Sequence, residues 1–285
     1  HSGARDMFRM EADLRKAIER QELELAFQPY VNLAEGRLVG FEALARWNHP
    51  ERGVISPSDF IPIAEDSGLI VPLGRWAIET ACNQIADWRR RCAGAADLTV
   101  GVNVSGLQLA QDDIVGAVEA ALTASGIPGR ALKVELTESA IVENPELARQ
   151  IFTKLKQLDL SIAMDDFGTG YSSLSYLQQL PIDVLKIDQS FVGGMMKSDD
   201  SHKIVTTIIA LARNLGMTTV AEGVEEESQA ERLRALGCDT AQGYFFARPM
   251  AAQEAEQFID NGICCPSRKR RVEQRTDVHS VARTS

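Results

Sequence analysis

The sequence has few of the residues that build zinc sites, disulfide frameworks or membrane spans. Its four histidines are dispersed, so a zinc site built on histidine is poorly supported. The five cysteines are odd in number and show no CxxC spacing, which favours free thiols in a reducing compartment and therefore a cytoplasmic protein. No apolar stretch approaches about 18 residues and no signal peptide is visible, so we expect no membrane-spanning segment.

Positive charge is also scarce. Lys and Arg total 30 against 40 Asp and Glu, which gives a formal net charge of −10. Proteins that bind duplex nucleic acid are usually basic, so we expect no duplex binding, and the basic run at 268–271 is more typical of a solvated tail. An acidic protein that handles phosphates needs local cations. With so few histidines, oxygen-liganded Mg²⁺ or Mn²⁺ remains open.

What the sequence does have is a regular alternation of strand and helix patterns. An amphipathic helix is predicted at 7–22, followed by two strands at 23–31 and 38–47. The six residues between these strands are too few for a parallel crossover, so the two strands should be antiparallel. Helices and strands then alternate, which predicts a modified TIM (β/α)₈ barrel with an antiparallel first strand.

The remaining elements complete eight strands. Strands are predicted at 98–104, 132–136, 160–165, 184–187, 218–221 and 240–243. Helices are predicted at 58–66, 72–91, 112–125, 145–158, 201–215, 226–236 and 251–261, with a short one after Ser172. The chain thus divides into a linker helix (1–22), the barrel (23–262) and a polar, basic tail (263–285) that we expect to be poorly ordered. The helix would join the barrel to an upstream sensory or regulatory domain.

Two adjacent carboxylates, Asp165 and Asp166, follow the apolar run at 160–164, and a glycine-spaced loop follows them. Acids at the end of a buried strand are costly unless a positive group lies beside them, and a divalent metal ion is the simplest such group. Neighbouring strand residues point to opposite faces, but the turn at a strand's end lets both converge. The alternative is a capping acid beside a solvated loop acid.

Polar residues end nearly every predicted strand. The active site of such a barrel lies at the C-terminal ends of its strands, so these residues should converge on one mouth. Each alone has a structural explanation; Lys186, for example, could neutralise Asp188. Together, the carboxylates, an amide and a lysine would make a site for two divalent cations about 3.5–4 Å apart, which suits phosphodiester hydrolysis. The set is Glu42, Asn103, Glu135, Asp165, Asp166, Lys186, Asp188, Glu222, Glu225 and Gln242.

These residues lie in motifs that resemble the EAL family of cyclic di-GMP phosphodiesterases, named for Glu42-Ala43-Leu44. The resemblance covers about residues 23–250, and because its motifs occur in order it is highly specific. The motifs are Gln28-Pro29, Glu42-Ala43-Leu44-Ala45-Arg46-Trp47, Asn103-Val104-Ser105, Glu135-Leu136-Thr137-Glu138, Asp165-Asp166-Phe167-Gly168-Thr169-Gly170, Lys186-Ile187-Asp188, Glu222-Gly223-Val224-Glu225 and Gln242-Gly243-Tyr244.

The resemblance implies hydrolysis of cyclic di-GMP to linear 5′-pGpG by a water molecule that two Mg²⁺ or Mn²⁺ ions activate. Because this hydrolysis consumes cyclic di-GMP, the enzyme would lower the level of this second messenger in bacterial signalling. Ca²⁺ prefers longer bonds and looser coordination, and it should inhibit. The family barrel has one antiparallel strand, in agreement with the strand pattern.

The resemblance also implies a role for each position. One ion would be held by Glu42, Asn103, Glu135 and Asp165, and the other by Asp165, Asp166 and Glu222. Lys186 would contact the attacking water or a phosphate oxygen, so the catalytic set is Lys186, Glu222, Glu42 and Asp165. The residues implied in substrate binding are Gln28, Leu44, Arg46, Asp188, Glu225, Gln242 and Pro249, with Arg46 on a phosphate oxygen.

Glu138 resembles the family's loop anchor, which tethers the loop after Asp166 so that both aspartates face the metals. The alternative, a helix-starting acid, is weaker because Glu138 lies too early for the helix predicted from residue 145. In the family the same loop and the following helix commonly form a dimer interface, so a homodimer is expected.

Three other functions compete with an active phosphodiesterase. A catalytically inactive cyclic di-GMP receptor would usually lack an acid, the lysine or the loop anchor, and none is missing. A glycosidase could use Glu135 and Glu222, but the amide, the aspartate pair and the lysine would then have no role. A Schiff-base aldolase needs a lysine of depressed pKa, whereas the acids around Lys186 would raise its pKa.

Overall fold

The computed structural model describes residues 2–20, 22–170 and 177–261, and a nine-stranded sheet forms its centre. The strands are β1 (Leu23–Asn32), β2 (Leu38–His49), β3 (Gly53–Ile55), β4 (Thr99–Asn103), β5 (Leu132–Thr137), β6 (Ser161–Phe167), β7 (Val184–Ile187), β8 (Thr218–Ala221) and β9 (Thr240–Ala241).

Helices surround this sheet. They are α1 (Ser2–Arg20), α2 (Pro57–Asp66), α3 (Ile70–Arg91), α4 (Gly106–Gln111), α5 (Ile114–Ser125), α6 (Glu138–Glu143), α7 (Pro145–Gln157), α8 (Gln189–Gly194), α9 (Asp199–Asn214), α10 (Glu227–Leu236) and α11 (Ala252–Asn261). Within the described ranges, no helix combines the length and apolarity that crossing a membrane requires.

Eight of the strands close into a barrel. From β4 to β9 each strand pairs in parallel with the next, β2 pairs in parallel with β4, and β9 pairs with β1. The first strand is antiparallel to both neighbours: Leu23 lies opposite Trp47 in β2, and Val31 lies opposite Ala241 in β9. The predicted modified TIM barrel with an antiparallel first strand is therefore confirmed.

The structure corrects several predicted element bounds. Helix α1 begins at Ser2, five residues before the predicted start, and β6 continues two residues past Asp165. Strand β3, which forms a hairpin with β2, was not predicted, and neither were α4, α6 and α8. These helices have six residues each, so they show too few turns for a 3.6-residue period to emerge. The predicted helix after Ser172 and the tail 263–285 lie outside the described residues.

The inside of the barrel is an apolar layer of small and medium side chains. Ala163, Val184 and Val220 pack around the wholly buried Tyr30. Each of the three lies two residues before an acid or lysine at a strand end, so it shares that residue's inward face. A polar cluster at the strand ends consequently rests on a closed apolar floor.

The outer face of the sheet packs against the helices. The indole of Trp88 in α3 stacks edge-on against Phe27, with ring centroids 4.8 Å apart, and lies 5.1 Å from Phe41. Helix α1 buries Leu14 and Ala17 in a second apolar cluster with residues of β2, α2 and α3. Tight packing on both faces holds the strand ends in fixed positions.

Two of the buried thiols, those of Cys82 and Cys238, should resist alkylation in the native protein. Burial raises the pKa of Cys82 to about 12 and that of Cys238 to about 11. Because the thiolate is the nucleophile, its fraction at pH 8 falls from roughly a quarter for a free cysteine to about 10⁻³ or less. Iodoacetamide labelling followed by peptide mass spectrometry should find both unmodified until guanidinium chloride unfolds the chain. Labelling of native Cys82 at the unfolded rate would contradict this.

Candidate active site

The carboxyl ends of the parallel strands gather the predicted polar residues at one mouth of the barrel. Register pairs Asn103 with Glu135 across β4 and β5, and Thr137 with Asp165 across β5 and β6. Glu42 enters from β2, and Lys186 from β7. Each side chain therefore reaches the axis from a different strand, as expected for a barrel of this type.

Lys186 is the centre of this cluster and is wholly buried. Its Nζ lies 2.7 Å from Glu135 Oε2, 2.7 Å from Glu222 Oε1 and 2.8 Å from Asp165 Oδ2. A fourth carboxylate, that of Glu42, lies 3.7 Å away. Since an ammonium group has only three N–H donors, the carboxylates around Lys186 exceed what it can satisfy.

The surroundings of Lys186 set its protonation. Burial alone would lower its pKa, but the carboxylates of Glu135, Glu222 and Glu42 outweigh burial, and the pKa is raised well above its ordinary value. A Schiff-base lysine needs the opposite shift, so the aldolase interpretation is contradicted. The interpretation of Lys186 as a partner for Asp188 also fails, because Asp188 instead accepts a hydrogen bond from Ser190 N at 3.0 Å and caps α8.

Two amide side chains donate to carboxylates of the cluster. Asn103 donates from Nδ2 to Glu42 Oε1 at 2.7 Å, which leaves its amide oxygen available as a ligand. Gln242 donates from Nε2 to Glu42 Oε2 at 2.6 Å and to Glu222 Oε1 at 3.3 Å. Gln242 therefore belongs to the acidic cluster itself and bridges two of its carboxylates.

A backbone irregularity brings the aspartate pair to one side. Asp166 has a positive φ of 54°, and the pairing of β6 with β7 shifts register between Met164 and Phe167. Such a bulge inserts an extra residue and redirects its side chain, and Asp tolerates the left-handed region better than most residues. The expected convergence of Asp165 and Asp166 occurs, but inside β6 and by a bulge, not by a turn after the strand.

The cluster has the composition and spacing of a site for divalent cations. Two sets of carboxylates each have oxygens within 4.8 Å of one another: Glu42, Glu135 and Asp165, and Asp165, Asp166 and Glu222. Burial and neighbouring acids raise the pKa of Asp166, and burial raises that of Glu222 to about 8. With all five carboxylates ionised and Lys186 protonated, the cluster would carry four negative charges in excess, which two divalent ions would balance. The residues present therefore fit such ions, and oxygen ligands suit Mg²⁺ or Mn²⁺.

Glu138 faces the loop that follows the aspartate pair. Its carboxylate is buried, and Oε2 accepts a hydrogen bond from Gly168 N at 2.9 Å. Gly168 has a φ of 99°, which favours glycine, and a Cβ at Gly170 would lie 2.6 Å from Glu138 Oε1. Glu138 also begins a helix after all, since α6 starts there, ahead of the helix predicted from residue 145.

The predicted substrate residues differ in how they are placed relative to the acidic cluster. Leu44, Arg46 and Asn103 line a cavity of about 580 Å³ that extends between β2, α2 and α3. Gln28, on β1, lies opposite Glu42 and donates to Ala247 O at 3.4 Å. Pro249 precedes Met250, whose backbone pairs with that of Phe27 in β1. The backbone N–H of Glu225 donates to Gln229 Oε1. Among the described residues, no side-chain hydrogen bond or ion pair joins Glu225 or Pro249 to the acidic cluster.

Two buried residues next to the cluster were not predicted. Tyr30 donates from its hydroxyl to Glu135 Oε1 at 2.6 Å, and Lys133 Nζ lies 4.2 Å from the centroid of the Tyr30 ring. Burial and the carboxylate of Glu135 raise the pKa of Tyr30 well above its ordinary value, so the hydroxyl remains a donor. The two-residue alternation of a strand could have indicated both positions. Tyr30 lies two residues after Gln28, and Lys133 lies two residues before Glu135, so each shares a strand face with a predicted site residue.

The fold and the site together define a modified TIM barrel whose mouth contains a cluster of carboxylates that could hold divalent cations. The family model described as the EAL domain matches residues 11–249, and the chain belongs to this family.

Two curated relatives are similar in sequence to most of this chain. The bifunctional diguanylate cyclase/cyclic di-GMP phosphodiesterase MucR of Pseudomonas aeruginosa is 41% identical over 254 residues, which are 89% of this chain and 37% of MucR. The cyclic di-GMP phosphodiesterase PdeR of Escherichia coli is 43% identical over 249 residues, which are 87% of this chain and 37% of PdeR. The chain thus spans roughly a third of the length of the curated relatives that it matches, from 29% to 37%.

Solved structures agree with this assignment. The structure titled as the MucR phosphodiesterase in complex with c-di-GMP superposes with a TM-score of 0.83 at 42% identity, covering 87% of this chain and 99% of that one. The EAL enzyme Bd1971, in a form bound to cAMP and cyclic di-GMP, gives a TM-score of 0.84 at 35% identity, with coverage of 90% and 70%.

Replacing Glu42 by alanine should weaken cation binding. The substitution removes one carboxylate of the first set, so we expect the apparent Mn²⁺ affinity of one site to fall by more than about tenfold. Titration calorimetry of the protein without substrate measures this directly. Glu254→Ala, which removes an exposed acid of α11, is the control and should bind Mn²⁺ like the wild type. Equal affinity and stoichiometry in Glu42→Ala would contradict the assignment.

Proposed function

We propose that this chain is a metal-dependent phosphodiesterase that hydrolyses cyclic di-GMP to linear 5′-pGpG and so lowers this second messenger in bacterial signalling. The observation that carries the proposal is the buried cluster in which four carboxylates surround Lys186 and leave an excess of negative charge. Membership of the EAL family, and relatives named as cyclic di-GMP phosphodiesterases, support the substrate class.

Two Mg²⁺ or Mn²⁺ ions would occupy the cluster. Bound there, they would lower the pKa of the attacking water and neutralise charge on the phosphodiester. The residues that would hold them are Glu42, Asn103, Glu135 and Asp165 for one ion, and Asp165, Asp166 and Glu222 for the other.

The chain's own side chains would bind and orient the substrate. Arg46 lies beside the cluster in the cavity, and its planar guanidinium suits a phosphate oxygen. Lys186 keeps its proton among the carboxylates, so its ammonium can donate to a phosphate oxygen or to the attacking water and stabilise developing negative charge. The guanine and ribose groups would be contacted by Gln28, Leu44, Asp188, Glu225 and Pro249, while Gln242 would orient water from its place between two carboxylates.

The geometry favours this proposal over the competing functions. In a glycosidase, Glu135 and Glu222 would face each other across the sugar, but the ammonium of Lys186 occupies the space between them, 2.7 Å from each. A receptor that binds without hydrolysis has no need of a complete acid set with its lysine and loop anchor, and all of these are present.

The proposal is tested by incubating the protein with cyclic di-GMP and Mg²⁺ or Mn²⁺ and resolving the products by chromatography. We expect linear 5′-pGpG, and no product in EDTA. With Ca²⁺ as the only divalent ion, turnover should fall at least about tenfold because its bonds to oxygen are longer, about 2.3–2.6 Å against 2.0–2.1 Å for Mg²⁺. Product formed in EDTA would overturn the metal dependence, and tight binding without product would indicate a receptor.

The role proposed for Glu138 predicts a separation of turnover from substrate binding. Glu138→Ala removes the acceptor for Gly168 N and frees the loop beside Asp166, so we expect turnover to fall by about 100-fold or more while substrate affinity changes less than about tenfold. High Mn²⁺ should partly restore turnover by mass action.

Glu138→Gln is the matched variant for this experiment, because its amide oxygen can still accept from Gly168 N. It should keep more activity than the alanine variant. Unchanged turnover in Glu138→Ala, or complete loss of cyclic di-GMP binding, would show that Glu138 does not anchor the loop. Steady-state kinetics and calorimetry with cyclic di-GMP in Ca²⁺ provide the two readouts.

We also propose that the barrel acts within a longer protein and as a homodimer. The curated relatives are about three times as long as their matched part, which supports a regulatory or sensory domain upstream. The dimer would form through the loop and helix after Asp166, of which residues 171–176 lie outside the described part. The mass in solution, from light scattering, distinguishes the 31.2 kDa chain from its dimer.

A further inference from the structure

The layer beneath the acidic cluster contains a hydroxyl that contacts one ligand residue. Tyr30 is wholly buried on β1, and its hydroxyl donates to Glu135 Oε1 at 2.6 Å. Because β1 runs antiparallel to the other barrel strands, its later residues lie deeper: Gln28 pairs with Glu42 at the mouth, while Tyr30 pairs with Gly40 below. The phenol therefore approaches the carboxylate from the barrel floor.

The neighbouring strand leaves room for this contact. A Cβ at Gly101 in β4 would lie 2.0 Å from Glu135 Oε1 and 3.0 Å from the Tyr30 hydroxyl. Any larger residue at 101 would push the carboxylate off the phenol. The hydrogen bond thus depends on a glycine at a strand position, where glycine is otherwise unfavourable.

A second lysine holds the phenol ring. Lys133 is buried, lies two residues before Glu135 on the same face of β5, and places Nζ 4.2 Å from the ring centroid of Tyr30. A cation over an aromatic face is attractive, more so when both are desolvated. The ring is consequently fixed from below, and its hydroxyl points at Glu135.

The two oxygens of Glu135 have different partners. Oε1 accepts from Tyr30, while Oε2 lies 2.7 Å from Lys186 Nζ. We propose that Tyr30 is a positioning residue: it fixes the rotation of the Glu135 carboxylate so that Oε2 faces the cation site before any ion arrives. This rests on the proposed function, since it concerns the same metal ligand. Partners behind a ligand typically contribute 10–100-fold in metal affinity.

The test is Mn²⁺ binding by Tyr30→Phe in the absence of substrate, measured by calorimetry and by the free Mn²⁺ signal in electron paramagnetic resonance. Phenylalanine keeps the buried ring and its contact with Lys133 and removes only the hydroxyl. We expect the apparent Mn²⁺ affinity to fall about 10–100-fold, with KM for cyclic di-GMP within about threefold and kcat recovering at saturating Mn²⁺.

Thr219→Val is the matched control. It removes another buried hydroxyl that donates to a carboxylate, Asp239 Oδ2 at 2.8 Å, and this pair lies outside the acidic cluster. Both variants should lose thermal stability, but only Tyr30→Phe should lose Mn²⁺ affinity. A lower melting temperature in Tyr30→Phe with Mn²⁺ affinity within twofold of wild type overturns the inference, because the hydroxyl is then merely structural.

Two further outcomes are decisive. If Tyr30→Phe does not fold, Gly101→Ala keeps the tyrosine but places a Cβ against both Glu135 Oε1 and the Tyr30 hydroxyl, which separates the two groups. It should show the same loss of Mn²⁺ affinity, and unchanged affinity there overturns the inference. A wild-type protein that binds no Mn²⁺ overturns the proposed function as well, whereas wild-type binding that both variants leave unchanged overturns this inference alone.

Discussion

The structure depends on one buried ammonium group, which is surrounded by more carboxylates than it can pair with. Lys186 is wholly enclosed and contacts three carboxylates within 2.8 Å, with a fourth at 3.7 Å. Removing such charges from water is unfavourable unless each is paired, and one ammonium cannot pair them all. The barrel tolerates this arrangement because its packed walls hold the strand ends apart. The uncompensated charge makes the cluster a site for further cations.

Residues on three sides of the cluster contact it or the loop beside it. Within the cluster, Asn103 donates to Glu42 and Gln242 bridges Glu42 and Glu222, while Tyr30 donates to Glu135 from below. From the side, Glu138 accepts a hydrogen bond from Gly168 N, just after the bulge at Asp166. The contacts to the carboxylates restrict these side chains before a ligand binds, so less ordering remains to be done upon binding. The reversed direction of β1 is what brings a tyrosine to the floor.

Much of this could be predicted from local patterns. The six-residue link after Val31 excluded a parallel crossover, so the antiparallel first strand followed from chain length. The residue types at the strand ends indicated the acidic mouth, because all parallel strands of a barrel end on one side. The short helices α4, α6 and α8 were missed because six residues make fewer than two turns, and the hairpin strand β3 was missed because it has only three residues.

The sequence by itself determined which side chains reach the mouth, because strand direction and two-residue alternation are local properties of the chain. Only the tertiary structure decided which of them meet. Lys186 had Asp188 two residues away, yet its partners come from β5, β6 and the residue after β8, while Asp188 caps α8. The bulge at Asp166 arises where β6 pairs with β7. The phenol on Glu135 and the lysine on that phenol arise from the closure of the barrel, which brings together strands more than 100 residues apart in sequence.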